Sequence, residues 1–264
     1  MKTASRDCEN QGCGLHQHGR VALITGGSRG IGRAIAVRLA KANCHVVVNY
    51  FRQRKAAEEV AEEVRAAGMN ALIVKANVAN EEAVADMFRQ IKEEFGQLDI
   101  LVSNAASGVL KPALELTERH WHWTMDINAG TMIPLARHAV PLMEGRRGHI
   151  IAVSSLGAIR ALPNYTAVGA SKAALESLVR HLAVELAPRG VRVNCVSAGV
   201  VDTDALKHFP NRDELIGGAE ERTPSGRLTT PDDVADVILF LCNRCTDQIV
   251  GQTIIVDGGY SILG

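Results

Sequence analysis

Residues Thr25-Gly26-Gly27-Ser28-Arg29-Gly30-Ile31-Gly32 space three glycines as Gly-x3-Gly-x-Gly. That spacing suits a chain that must wrap closely around phosphates. Gly26 permits a tight turn, Gly30 lets the backbone approach a pyrophosphate, and Gly32 lets the following helix pack on the preceding strand. The helix N-terminus adds unpaired N–H groups and the positive end of a dipole. A bare glycine pattern is weak, because many are only turns. Here it sits at the first strand-to-helix junction, where a dinucleotide site requires it.

The end of the second strand bears on which dinucleotide is bound. An NAD site usually has a carboxylate there to hold the ribose hydroxyls. This chain has Asn49-Tyr50-Phe51-Arg52 instead. Guanidinium groups at Arg29 and Arg52 can pair with a 2′-phosphate, although either could equally be a solvated surface arginine. NADPH is the expectation, with NADH less favoured.

These residues need elements to position them. Short apolar runs at 20–25, 45–50, 70–78, 98–106, 148–158, 191–199 and 252–259 read as strands. Helical spacing fills 31–43, a charged segment through Ala67, 81–95, 118–144, 165–187 and 231–242. Residues 202–230, with Pro210, Pro224 and adjacent glycines, read as a long mobile loop with short helical pieces. Near-continuous apolar strands alternating with helices predict an α/β fold. Its form would be one doubly wound, Rossmann-type parallel sheet of about seven strands covered on both faces. Ligands then belong at the carboxyl ends of the strands.

Composition narrows the function classes. Lys plus Arg equals Asp plus Glu at 29 each, so no bulk field attracts nucleic acid or anionic lipid. No apolar run approaches the roughly 20 residues that span a bilayer. Residues 1–19 are polar, lack a secretory apolar core, and read as a flexible leader before a single domain at 20–264. Six cysteines are too sparse for a stapled secreted scaffold, which points to a reduced, cytoplasmic protein. Cys8, Cys13, His16 and His18 match no strong zinc spacing, and Cys242-x-x-Cys245 reads as incidental, so no metal is expected.

Beyond the glycine turn, SNAA (103–106), INAG (127–130), VSSLG (153–157) and VDGG (256–259) follow in order. Together they resemble the marks of the short-chain dehydrogenase/reductase family over residues 20–264. The resemblance implies a cofactor site at Gly26, Ser28, Arg29, Gly30, Ile31 and Gly32, with Tyr50 and Arg52 beyond. Asn77 and Val78 would flank the adenine, and Asn104, Ala105 and Ala106 would line the cofactor. Ala198, Gly199, Val201 and Thr203 would pack near the nicotinamide, with Ala198 standing where the family usually has Pro.

One departure is informative. Most of that family carries Tyr-x3-Lys, but Val168 stands four before Lys172, and Tyr165 stands seven before it. A three-residue shift moves a phenol about 4.5 Å along a helix axis. Ketone reduction needs its acid beside the carbonyl that receives hydride. Enoyl-thioester reduction places hydride on the β-carbon while charge develops on the thioester oxygen, so a displaced hydroxyl suits it. Tyr-x6-Lys resembles enoyl-acyl-carrier-protein reductases. SLGAIRALPNYTAVGASKAALES sharpens the likeness to the NADPH-dependent type III enzymes and related enoyl-CoA reductases.

By that resemblance Tyr165 stabilises the enolate and Lys172 holds the nicotinamide ribose. Ser155 assists or lines the pocket, and Asn128 holds a water in the proton path or is structural. The substrate would be an acyl thioester on acyl carrier protein or coenzyme A, and the assembly a homotetramer. Leu206, Phe209 and Leu215 would contact the acyl group beneath a lid at 202–226. Trp121 and Trp123 read as core or interface residues, and Arg189 and Arg192 as candidates for steering a carrier phosphate. Two rivals remain: a 3-oxoacyl or ketone reductase, and a non-catalytic NADPH-binding protein.

Overall fold

The computed structural model describes Gln17, residues 19–203 and residues 212–263, with the backbone alone described at 212–215. Seven strands form one sheet: β1 (Val21–Ile24), β2 (His45–Tyr50), β3 (Ala71–Lys75), β4 (Ile100–Ser103), β5 (Gly148–Ser155), β6 (Val191–Ala198) and β7 (Thr253–Val256). Their order is β3-β2-β1-β4-β5-β6-β7, and every pairing is parallel. The strand order reverses between β1 and β4, which opens a crevice at their carboxyl ends.

Both sheet faces are buried, and alternation within each strand divides the core. On β1, Val21 and Leu23 join a cluster with α3 (Glu81–Phe95), α5 (Met132–Leu142) and α6 (Thr166–Leu186). Ala22 and Ile24 face the other way, toward α1 (Gly30–Lys41), α2 (Arg54–Ala66) and α8 (Pro231–Leu241). Helix α6, which carries Lys172, thus lies on the first face, while α1 presents its N-terminus from the second.

Three sequence expectations change in detail. The stretch at 118–144 is not one helix: α4 (Glu118–Met125) and α5 are joined by a π-turn at Asp126–Gly130. The Thr131 N–H donates to the Asp126 carbonyl, a step of five residues that locally widens the helix. Among the described residues, the loop expected at 202–230 contains α7 (Arg212–Arg222), a helix of eleven residues. It runs through Gly217 and Gly218, with Ala219 buried and the Thr223 hydroxyl donating to the Ala219 carbonyl. Docking of its C-terminal end overrides two helix-weakening glycines. Upstream, Gln17 is buried and bonds Ala42, so ordered contacts begin before residue 20.

At the amino end of β5, His149 is fully buried near Arg20, Arg147 and Arg192. Burial, followed by those three guanidinium groups, pushes its imidazole down to about 3, partly offset by the Leu241 carbonyl. A histidine depressed in the folded state contributes stability above its unfolded pKa of about 6.5 and loses it as pH falls. Between pH 7 and pH 5 this group alone removes about 2 kcal/mol. Thermal melts of the wild type and His149→Leu should therefore show the wild-type Tm falling faster over that interval. Parallel Tm curves would contradict the assignment.

Candidate active site

A cleft of about 750 Å³ opens at the carboxyl ends of the strands, beside the β1/β4 switch point. Every residue expected to hold the cofactor lines it, from Gly26, Ser28, Arg29, Gly30, Ile31 and Gly32 to Tyr50 and Arg52. Asn77, Val78, Asn104, Ala105 and Ala106 line its middle, with Ala198, Gly199, Val201, Thr203 and Lys172 beyond. Among the described residues the lining contains Arg29, Arg52, Arg160 and Lys172 but no carboxylate.

The glycine turn is built by close approach. Gly26 has φ +62° and Gly30 φ +52°, left-handed positions that favour glycine. Gly32 is required for space: a Cβ there would lie 2.3 Å from the Gly26 carbonyl oxygen and 2.6 Å from Asn104 Nδ2. Asn104 locks the turn by donating to the Thr25 and Gly26 carbonyls at 2.9 and 3.1 Å. The Thr25 hydroxyl oxygen accepts the Asn104 and Ala105 N–H groups. Asn49 Oδ1 accepts the Gly26 N–H, so the uncharged residue on β2 supports the turn from behind. Arg52 projects into solvent, its guanidinium 5.6 Å from the Phe51 ring centre. The glycine cradle, the helix N-terminus and the cationic rim together fit the pyrophosphate of a dinucleotide.

Ser155 ends β5, and its Oγ lies 3.3 Å from the Tyr165 hydroxyl. Tyr165 is the residue before α6, not inside it, with φ −108° and ψ 9°. Its ring lies over Gly157, where a Cβ would approach Tyr165 Cε1 to 2.3 Å. Burial raises the phenol pKa, and the Ser155 hydrogen bond lowers it. Val168, at the position where a Tyr-x3-Lys pattern needs its phenol, is buried against Gly108 and Thr124. Lys172 Nζ donates to the Val153 carbonyl at 2.8 Å. Burial pushes this ammonium down to about 8, with Cys195 and Glu176 acting in the opposite direction.

Asn128 does not line the cleft. It sits in the π-turn, accepts the Ser107 N–H at 2.8 Å and donates to Ser171 Oγ at 2.9 Å. The Ser171 hydroxyl in turn donates to the Val168 carbonyl. Asn128 thus ties the loop after β4 to the first turns of α6, placing its direct contacts behind the reacting groups.

Several lining residues escaped the sequence reading. Trp123 is half exposed, lines the cleft and donates its indole N–H to Ser107 Oγ at 2.9 Å, so it is not a core residue. Trp121 is likewise exposed and does not line the cleft. Residues two apart on a helix point about 200° apart, a signal that the two tryptophans could not share one role. Arg160, Leu162 and Tyr260 close the substrate end, and Arg160 bonds the Ser261 and Leu263 carbonyls. Tyr260 directly follows VDGG, the clue that could have found it.

Arg189 and Arg192 lie at the amino end of β6, away from the cleft. Arg189 pairs with Glu144, and Arg192 donates to the Asp247 carbonyl. They flank the start of β6, whereas its end reaches the cleft, so neither is placed to steer a phosphate into it. Leu206, Phe209 and the side chain of Leu215 lie outside the described residues, as do Cys8, Cys13, His16 and His18. Cys242 is buried and Cys245 exposed.

A nucleotide cradle at the switch point of this sheet, with Ser155, Tyr165 and Lys172 beside it, is the architecture of a dinucleotide-dependent oxidoreductase. The chain belongs to the short-chain dehydrogenase/reductase family: residues 26–261 match the family described as Enoyl-(Acyl carrier protein) reductase. It is similar to the 1-cyclohexenylcarbonyl-CoA reductase of Streptomyces collinus, with 41% identity over 92% of this chain and 88% of that protein. Among solved structures, it resembles the enoyl-[acyl-carrier-protein] reductase (NADH) of Aquifex aeolicus at TM-score 0.87. Identity there is 34%, covering 95% of this chain and 99% of that one. It also resembles a 7 alpha-hydroxysteroid dehydrogenase complexed with NADH and 7-oxo glycochenodeoxycholic acid, at TM-score 0.89. Identity is 32%, covering 93% of this chain and 96% of that one. No described helix is long and apolar enough to cross a membrane.

Proposed function

We propose that this enzyme reduces the trans-2 double bond of an enoyl thioester, with NADPH as the reductant. The carrying observation is the placement of the phenol. Tyr165 stands just outside α6 beside Ser155, while an aliphatic side chain fills position 168. Similarity to a reductase of a cyclic enoyl-CoA and to an enoyl-acyl-carrier-protein reductase supports the same chemistry. The hydroxysteroid dehydrogenase likeness keeps the overall fold compatible with ketone reduction, so the displaced phenol is the discriminating feature.

The bound cofactor supplies hydride to the β-carbon. Tyr165 donates a hydrogen bond to the thioester oxygen as negative charge develops there, and the resulting enolate takes a proton from solvent water at the α-carbon, so that one hydride and one proton add across the double bond. One such donor is worth about 3–4 kcal/mol. Ser155 orients the Tyr165 hydroxyl, and Lys172 binds the ribose hydroxyls. Trp123 and Leu162 supply apolar surface for the acyl group. Arg29 and Arg52, in a lining without described carboxylates, favour the 2′-phosphate over a free ribose hydroxyl.

Absorbance at 340 nm tests both parts. NADPH is oxidised with crotonyl-CoA and not with acetoacetyl-CoA, and NADH supports slower turnover. Arg52→Ala raises KM for NADPH about tenfold, the value of roughly 1.4 kcal/mol in lost pairing, and leaves KM for NADH near wild type. Turnover of acetoacetyl-CoA alone would move the enzyme to the ketoreductases. Equal losses with both cofactors would remove Arg52 from 2′-phosphate recognition.

A further inference from the structure

Behind Lys172 lies a second ionisable group that the proposed chemistry does not use. Glu176 is buried on α6, one helical turn beyond Lys172 and on the same face. Its Oε1 accepts a hydrogen bond of 2.6 Å from Ser154 Oγ. Lys172, also buried, donates to the carbonyl of the preceding residue, Val153. Two residues on consecutive turns of α6 thus grip two consecutive residues of β5, and Ser155 follows directly. The Cys195 thiol from β6 faces the same group of side chains, with Ser154 and Thr253 as its hydrogen-bonding neighbours. A buried ammonium without an opposite charge sheds its proton, and a buried carboxylate without a cation takes one up.

We propose that Glu176 is a positioning residue that keeps Lys172 protonated and anchored to β5, ready for the cofactor. Its carboxylate supplies the opposing charge and, through Ser154, ties that charge to the strand carrying Ser155. The inference rests on the assignment of Lys172 to the cofactor ribose. Glu176 touches neither substrate nor cofactor and acts through Lys172.

Burial sets the Lys172 titration near 8, and Cys195 followed by Glu176 opposes that depression. The titratable groups that act on Lys172 are Cys195 on β6 and Glu176 on the same helix. Cys195 is itself pushed up to about 12 by burial, then by Glu176, so its thiol remains neutral through the interval that matters.

NADPH affinity, read by fluorescence across pH 6–10, and kcat/KM for NADPH should both fall as Lys172 loses its proton. Glu176→Gln moves that limb about one pH unit or more toward acid, and Glu176→Asp restores most of it. Loss of affinity or Tm in Glu176→Gln with the limb unmoved would reduce Glu176 to a packing role and overturn the proposal. If Glu176→Gln does not fold, stability still decides: Lys172→Met combined with Glu176→Gln must melt higher than Lys172→Met alone, because the single variant strands a buried carboxylate. A double variant that is no more stable refutes the pairing. The two readings fail separately. A moved affinity limb without crotonyl-CoA turnover overturns the enoyl assignment alone, and crotonyl-CoA turnover with an unmoved limb overturns the role of Glu176 alone.

Discussion

Tyr165→Phe is expected to lower turnover of crotonyl-CoA by about 10²–10³-fold, while NADPH binding stays near that of the wild type. The substitution removes one oxygen and leaves the ring over Gly157, so the local packing survives. Only the hydrogen bond aimed at developing charge disappears. That separation between turnover and affinity is the signature of a group acting in the transition state. Val168→Tyr added to the same background does not restore activity. The Val168 side chain is buried against Gly108, and a Cβ on Gly108 would already meet Val168 Cγ2 at 2.3 Å. A phenol cannot replace the valine without displacing the loop after β4. Wild-type turnover by Tyr165→Phe would remove the phenol from the mechanism.

Gly32→Ala gives the second large effect, by a different route. Gly32 does not have a left-handed φ, so the problem is space rather than backbone strain. The added methyl meets the Gly26 carbonyl and Asn104 Nδ2, and these two are bonded to one another. Relief requires moving the glycine turn away from α1, which takes the N–H groups with it. The expected outcome is a loss of NADPH affinity of about 100-fold, or roughly 2.7 kcal/mol. Overpacking of about 1–3 kcal/mol should also lower Tm by several degrees. A fluorescence titration and a thermal melt measure the two. Unchanged affinity would mean that the turn does not form the phosphate cradle. Gly30 differs: a Cβ there meets Thr203 at only 3.5 Å, and the cost lies in its φ of +52°.

The sequence alone determined the sheet, because its strands are apolar on both faces and its helices are apolar on one. Such patterns leave few ways to bury every strand. It also determined where the glycine turn stands, since Gly26, Gly30 and Gly32 lie close together along the chain. Local spacing carries local geometry. Tyr165 and Lys172 were legible for the same reason, seven residues apart with Val168 between them, although the chain's turn into α6 immediately after Tyr165 was not. Contacts between distant segments were beyond reach. Trp123 meets Ser107 in the cleft, Arg160 holds the carbonyls of Ser261 and Leu263, and Glu176 meets Ser154 behind the lysine. Arg192, on β6, stands at the amino end of the strand, away from the cleft. Each of these depends on which face an element buries and on how the sheet brings remote strands together. Only the tertiary structure decided them, because side-chain periodicity records a preference for burial but not the identity of the group on the other side.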